Sequence, residues 1–303
     1  MLTNQVIRRA VEAALEEDAP YGDVTVETTI PADETGTARL VARETGVMSG
    51  IGVFAAAFAA LNPDITVTAH IKDSDRFEAG QTLAEASGPM RDLLTAERVA
   101  LNFTQRMCGI ATMTAAFVAE VNRIYDAGHD DAGDPDTGTV ITPRTFPRTR
   151  IVDTRKTTPG LRPFEKYAVT CGGGRNHRYG LSDAVMVKDN HLAALAKEGL
   201  DMAGAIRHIR DQVGHTTHIE VEVDRLDQIP AALDGGADTI MLDNFSLDDT
   251  ARGVQLIDGR AIVEASGNMT LDRVAAVAAT GVDVISVGAL THSVRSIDLG
   301  LDI

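Results

Sequence analysis

The sequence predicts an α/β protein: an incomplete α/β barrel of six to seven strands, preceded by an α+β N-terminal domain. Two observations carry this prediction. Beyond residue 147, short apolar runs alternate with helical segments, whereas the first third mixes helices with strands of alternating polarity.

The elements follow in chain order. Residues 4–17 place Val6, Ile7, Ala10, Val11, Ala14 and Leu15 at helical spacing. A strand follows at 38–42, then a turn and an alanine-rich helix within 46–61. The stretch ITVTAHIKDSDRFEAGQTLAEASGP alternates apolar and polar residues and breaks at Glu78-Ala79-Gly80, which predicts antiparallel strands. A long helix is expected over 93–124, with an interruption near Gly109. Residues 126–147 lack periodicity and are rich in Asp, Gly, Thr and Pro, as in a surface loop.

Later strands are expected at RIVDT (150–154), AVMVK (184–188), HIEVEV (218–223), TIMLD (239–243), AIVEA (261–265) and VISV (284–287). Helices are expected at 191–213, 225–234, 246–256 and 271–280. This alternation implies a parallel sheet, and the number of units suits a TIM-like barrel better than a dinucleotide-binding sheet. No GxGxxG follows a strand; Gly172-Gly173-Gly174 lies in a loop before Arg175. The expected domains are 1–112, a barrel over 113–288 with a surface insertion at 126–147, and a tail at 289–303 packing back on the first domain.

Composition narrows the function. The longest apolar run, Val53 to Leu61, is too short to span a bilayer, and the N-terminus reads as an amphipathic helix rather than a signal peptide. A cytoplasmic protein is expected. Cys108 and Cys171 suggest neither a disulfide framework nor a metal cluster. With 44 acids against 28 bases and a net charge of -16, the surface suits neither nucleic acid nor an anionic membrane. Lysine is nearly absent outside one segment, since the chain has only Lys72, Lys156, Lys166, Lys188 and Lys197. Lysine depletion with abundant aspartate fits a halophilic protein that stays hydrated in concentrated salt.

Against this acidic background, Arg150, Arg155, Lys156, Arg162, Lys166, Arg175, Arg178 and Lys188 face only Asp153, Glu165 and Asp183 between residues 150 and 188. That reversal of sign points to an anionic ligand. Arg155, Arg162, Arg175 and Arg178 suit planar carboxylates, while Lys156 and Lys188 suit phosphate as point charges. In α/β barrels the reacting groups sit where strands end, and every predicted strand end here is polar. Ser266-Gly267-Asn268 and Gly288 precede helices in the last two units, where backbone amides can approach a phosphate. Glu222 and Asp243, on separate strands, could hold a divalent metal or ribose hydroxyls; Mg²⁺ carried by a phosphate would complete so partial a cage. His177, beside Arg178 in a Gly-rich loop, reads as a ligand contact. His191 could instead cap the next helix, and His129, His208, His215 and His218 show no metal spacing.

Several motifs resemble the quinolinate phosphoribosyltransferase family: EDAPYGDVT (17–25), ERVALNFTQRMCGIAT (97–112), DTRKTTPGLR (153–162), GGGRNHRYGLSD (172–183), MVKDNH (186–191), IEVEVD (219–224), IMLDN (240–244), EASGN (264–268) and ISVGALTHS (285–293). The resemblance covers nearly the whole chain, and its motifs occur in the family's order. It implies transfer of phosphoribose from phosphoribosyl pyrophosphate to quinolinate with decarboxylation, giving nicotinate mononucleotide, pyrophosphate and CO₂ for de novo NAD biosynthesis, with Mg²⁺. It also implies a homodimer, or a higher oligomer of dimers, with shared active sites. By matching motifs, Arg98 of a neighbouring subunit would meet quinolinate together with Arg155, His177 and Arg178. Lys156 and Lys188 would contact quinolinate or the donor's phosphates, with Thr157 also binding substrate. Glu222 and Asp243 would hold ribose hydroxyls and Mg²⁺, while Ser266, Gly267, Asn268, Ser286 and Gly288 would cradle the 5-phosphate. Lys156, Lys188, Glu222 and Asp243 are the expected catalytic set. The segment 126–147 departs from the family's usual length. The rival readings are a paralogous transferase acting on another pyridine or anionic precursor, a Schiff-base barrel lyase using Lys156 or Lys188, and a noncatalytic anion-binding protein.

Overall fold

The computed structural model describes residues 2–126 and 148–303, so the insertion expected at 126–147 lies outside the described residues except for Asp126. The chain divides into two compact units. One joins Met1–Ala115, Thr157–Gly173 and Leu290–Ile303; the other joins Ala116–Lys156 and Gly174–Ala289.

In the first unit, the opening helix Asn4–Asp18 starts where Thr3 Oγ1 accepts from Val6 N–H at 3.3 Å. A further helix, Val24–Thr29, begins on Asp23, whose Oδ1 accepts from Val26 N–H at 3.0 Å. It is too short to display a helical period, and the sequence reading passed over it. Strands β1 (Thr35–Ala42), β2 (Gly46–Val47), β3 (Thr66–Ala69), β4 (Arg76–Phe77) and β5 (Thr82–Pro89) are antiparallel, with β5 between β1 and β3, and β2 paired with β4. The helix Ile51–Leu61 turns Val53, Phe54, Ala57 and Phe58 into the core.

The helix Met90–Asp126 runs through Gly109 without the expected interruption. Glycine serves packing there: a Cβ would overlap the carbonyl oxygen of Arg295. Periodicity also missed the helix Arg162–Cys171, whose buried residues include Glu165 and Lys166 beside Phe164, Ala168 and Val169. Glu165 accepts from Arg106 Nε at 2.9 Å and Nη2 at 2.6 Å, and from Thr158 N–H at 3.1 Å, so its buried charge is satisfied.

The second unit is built on β6 (Arg150–Val152), β7 (Val185–Val187), β8 (Ile219–Val223), β9 (Thr239–Asp243), β10 (Ile262–Ser266) and β11 (Val284–Ser286). All pair in parallel, in the order β6-β11-β10-β9-β8-β7. Among the described residues β6 and β7 do not pair with each other, which leaves the barrel incomplete. The free edge of β6 takes the Arg175 segment: Arg175 N–H donates to Ile151 O at 2.8 Å, and Asp153 N–H to Arg175 O at 3.2 Å. The glycine run thus leads into a strand-edge bridge.

Register fixes which side chains share a face. Glu222 and Glu264 both lie opposite Met241, Ser266 opposite Asp243, and Glu220 opposite Thr239. With a period of two, Glu220, Glu222, Met241, Asp243, Glu264 and Ser266 point to one face. The alternate residues Val221, Ile240, Leu242, Val263 and Ala265 are buried on the other. The single helix expected at 191–213 is two, Asp189–Ala196 and Met202–Gln212. Gly199 takes a left-handed φ of +84° between them, and Asp201 Oδ1 caps the second by accepting from Gly204 N–H at 2.7 Å. The last strand, β12 (Leu299–Asp302), pairs antiparallel with β1 in the first unit.

Candidate active site

A cavity of about 500 Å³ opens at the carboxyl ends of the parallel strands in the second unit. One side carries the cations Arg155, Lys156, Arg178 and Lys188 together with His177, and the acidic side is formed by Glu222, Asp243 and Glu264. Ser266, Gly267, Asn268 and Ser286 line it too. Three other expected site residues do not. Arg98 lies in the first unit, 60% exposed, its guanidinium 3.7 Å from Glu97. Thr157, also in the first unit, accepts from Arg162 Nε at 3.0 Å. Gly288 follows β11 in the second unit, outside the lining residues.

Lys188 immediately follows β7, and its ammonium donates to the Glu222 carboxylate on the neighbouring strand. Its backbone N–H donates to His191 Nδ1 at 2.9 Å, so His191 caps a helix. Arg178 Nη1 donates to Ala184 O at 3.1 Å, and Nη2 meets Met186 Sδ at 3.5 Å. Burial lowers the Arg178 pKa, and the nearby charge of Arg155 lowers it further.

The turn after β10 depends on close backbone approach. Gly267 has φ +97°, and a Cβ there would overlap the Asn244 side chain. Asn244 and Asn268 adopt left-handed conformations, at φ 56° and 47°. Asn244 Nδ2 donates to Asp243 Oδ2 at 2.8 Å, and its N–H to Ser266 O at 3.0 Å, locking the β9 and β10 ends together. Ser286 Oγ is buried in the cavity wall without a hydrogen-bond partner.

His177 lines the cavity with its ring among protein groups. Its Nε2 lies 3.0 Å from Glu220 Oε2 and 3.4 Å from Glu264 Oε2, while Nδ1 accepts from Arg178 N–H at 2.7 Å. Both ring nitrogens therefore face protein groups. Burial opposes the charged ring, but the hydrogen bonds to Glu220 and Glu264 outweigh it and push the pKa up to about 10. Glu220 is raised as well, by burial first and then by the charge of Glu264. Because Nδ1 accepts the Arg178 N–H, the ring presents its Nε2 proton to the two carboxylates. The ligand atoms of His177, Glu220 and Glu264 lie within 4.8 Å of one another, a spacing a divalent ion could bridge. The ring proton on Nε2 blocks a metal bond there.

The sequence reading missed Glu220, Glu264 and the structural part of Asp153, whose buried Oδ1 accepts from His177 N–H at 2.9 Å. A signal existed: strands buried on both faces read as continuous apolar runs, so acids inside HIEVEV and AIVEA are out of place. Conversely, the cation-rich segment is divided by the fold. Arg162 and Lys166 belong to the helix of the first unit, Lys166 being buried there.

Comparison with known proteins agrees with this geometry. The family model described as "Quinolinate phosphoribosyl transferase, C-terminal domain" matches residues 139–302, and the corresponding N-terminal domain model matches residues 23–108. The chain is 40% identical to the nicotinate-nucleotide pyrophosphorylase [carboxylating] of Mycobacterium leprae, covering 98% of this chain and 96% of that protein. It is 39% identical to the probable nicotinate-nucleotide pyrophosphorylase [carboxylating] of Bacillus subtilis, covering 95% and 90%. Among solved structures, NadC from Streptococcus pyogenes superposes with a TM-score of 0.87 at 38% identity, covering 100% of this chain and 98% of that one. On its two domain matches and near full-length relatives, the chain belongs to the quinolinate phosphoribosyl transferase family.

Proposed function

We propose that this protein transfers phosphoribose from phosphoribosyl pyrophosphate to quinolinate and decarboxylates the adduct, giving nicotinate mononucleotide, pyrophosphate and CO₂ for NAD biosynthesis. One observation carries the reading: four cations and the Ser266–Asn268 turn share a single cavity with Glu222 and Asp243. A dicarboxylate and a polyphosphate need the cations, and a ribose needs the carboxylates.

Catalysis rests on position and charge. As the bond from ribose C1 to pyrophosphate breaks, the pyridine nitrogen forms its bond to an oxocarbenium-like C1. In this reading Glu222 and Asp243, both in the cavity wall, stabilise that developing positive charge and hold the ribose hydroxyls. As CO₂ then departs from C2, the bonding pair stays on C2, stabilised by the positive charge of the adjacent pyridinium nitrogen, and takes up a proton from solvent in place of CO₂. Arg155 and Arg178 grip the carboxylates; Lys156 and Lys188 meet carboxylate or phosphate. Ser266, Gly267, Asn268 and Ser286 receive the 5-phosphate.

Two oxygen donors on adjacent strands, Glu222 and Asp243, suit a hard cation and leave most of an octahedral shell to phosphate and water. Glu222 and Asp243 would hold Mg²⁺ brought in with the donor, and the ion would supply charge neutralisation for the pyrophosphate group. Family resemblance supports a homodimer in which Arg98 of a neighbouring subunit completes the quinolinate pocket. The chain's charge of -16 with five lysines supports salt adaptation, and unfolding followed against KCl concentration tests it: full stability in dilute buffer would reject it.

Acceptor choice tests the proposed reaction. With phosphoribosyl pyrophosphate and Mg²⁺, nicotinate should be at least tenfold poorer than quinolinate, because one charged contact contributes about 1.5–3 kcal/mol. Equal use of the two would favour the paralogous reading.

A further inference from the structure

Glu220 and Glu264 take no part in the chemistry above, yet they are 4% and 3% exposed and converge from β8 and β10 on one atom, His177 Nε2. The second oxygen of each, Oε1, is buried without a hydrogen-bond partner. Apolar side chains of the same shape would avoid that desolvation, so the acids are kept at a cost to stability that implies a positional task. What the ring holds identifies the task. His177 Nδ1 takes the Arg178 N–H at 2.7 Å, and the His177 N–H is itself held by Asp153 at 2.9 Å. Arg178 follows directly, lining the cavity, with one of its terminal nitrogens on the thioether of Met186 at 3.5 Å. A thioether is a weak acceptor that an incoming carboxylate would displace.

We propose that Glu220 and Glu264 are positioning residues for the pyridine dicarboxylate: by holding the Nε2–H of His177 they fix the imidazole that anchors the Arg178 amide, and so aim the Arg178 guanidinium at a substrate carboxylate. This role rests on the phosphoribosyl-transfer reading of the cavity and deepens it. A pair kept only for the scaffold behaves differently, since methionine of similar shape would then stabilise the fold and leave substrate affinity alone.

The test compares Glu220→Met, Glu264→Met and Glu264→Gln in the full chain, by calorimetry with quinolinate and by the KM of each substrate. Methionine keeps the volume and removes the acceptor; glutamine keeps an acceptor oxygen. Each methionine variant should raise the quinolinate Kd and KM at least tenfold, the scale of one charged hydrogen bond, with the donor KM within about twofold. Glu264→Gln should restore the quinolinate KM to within about threefold of wild type. Unchanged quinolinate affinity in all three variants overturns the role. Should the methionine variants not fold, the native protein decides: ¹⁵N spectra of histidine-labelled protein must show His177 protonated on Nε2 and bare on Nδ1. A bare Nε2 overturns the role. Absence of quinolinate binding in the wild type overturns both readings together, whereas wild-type binding with unaffected variants overturns the role of the glutamates alone.

Discussion

Lys188, the residue after β7, donates its ammonium to the Glu222 carboxylate on β8, so two expected substrate-binding groups are each other's partners in the cavity. Lys188 remains 41% exposed and Glu222 19%, which leaves the lysine able to turn to an anion. Lys188→Met should lower kcat/KM by about 10- to 150-fold, the equivalent of a charged contact of about 1.5–3 kcal/mol. Stability should change by no more than about 1 kcal/mol, since half-exposed pairs contribute little. Steady-state kinetics alongside urea unfolding check both halves; a large loss of stability with kcat/KM intact would make the pair structural.

Arg178 is the second lever. Arg178→Ala removes one carboxylate partner and should weaken quinolinate binding by about 1.5–3 kcal/mol while sparing the phosphoribosyl donor. Calorimetry with each substrate separates the two effects, and unchanged quinolinate affinity rejects the assignment.

Arg98 gives the assembly a test of its own. If neighbouring subunits share sites, mixing Arg98→Ala with Lys156→Ala subunits should recover up to about half of wild-type activity per heterodimer, or about a quarter in an equal random mixture, because one of the two composite sites of each hybrid keeps both residues. Native mass spectrometry establishes that heterodimers form. No recovery in verified heterodimers counts against shared sites.

Acid stability should carry the signature of Asp238. Burial would raise this carboxyl, but Arg210 Nη2 at 2.6 Å and the Ile219 N–H at 2.7 Å outweigh burial and hold its pKa below the unfolded value of 3.8. Its contribution is therefore present above pH 3.8 and lost as pH falls through the folded pKa, where the unfolded chain already holds the proton. Asp238→Asn should cost under about 1 kcal/mol at pH 7 after solvent screening, and the difference should vanish towards pH 2. Urea midpoints at several pH values measure this. A difference that grows in acid would contradict the sign.

The barrel was legible because its strands are buried on both faces and read as apolar runs ending in polar residues, from RIVDT to VISV. Helix breaks were less so. Gly109 looks like an interruption, but its meaning depends on Arg295, nearly two hundred residues away in sequence. Gly199, by contrast, ends a helix that apolar spacing appeared to continue. The charge excess at 150–188 marked a ligand pocket, yet sequence proximity could not divide it: Arg155, Lys156, Arg178 and Lys188 face the cavity, while Lys166 is buried in another unit. Glu220 and Glu264 were hidden because their common target, His177, lies on a distant loop that only the β6 edge brings into place.

The central claim is that one cavity joins phosphoribose to quinolinate and then expels a carboxyl group. Quinolinate labelled with ¹⁴C in its 2-carboxyl group, incubated with phosphoribosyl pyrophosphate and Mg²⁺ in dilute buffer and in molar KCl, measures this directly. The predicted result is labelled CO₂, pyrophosphate and unlabelled nicotinate mononucleotide in equal amounts. No product at either salt concentration, or pyrophosphate release without CO₂, would contradict it.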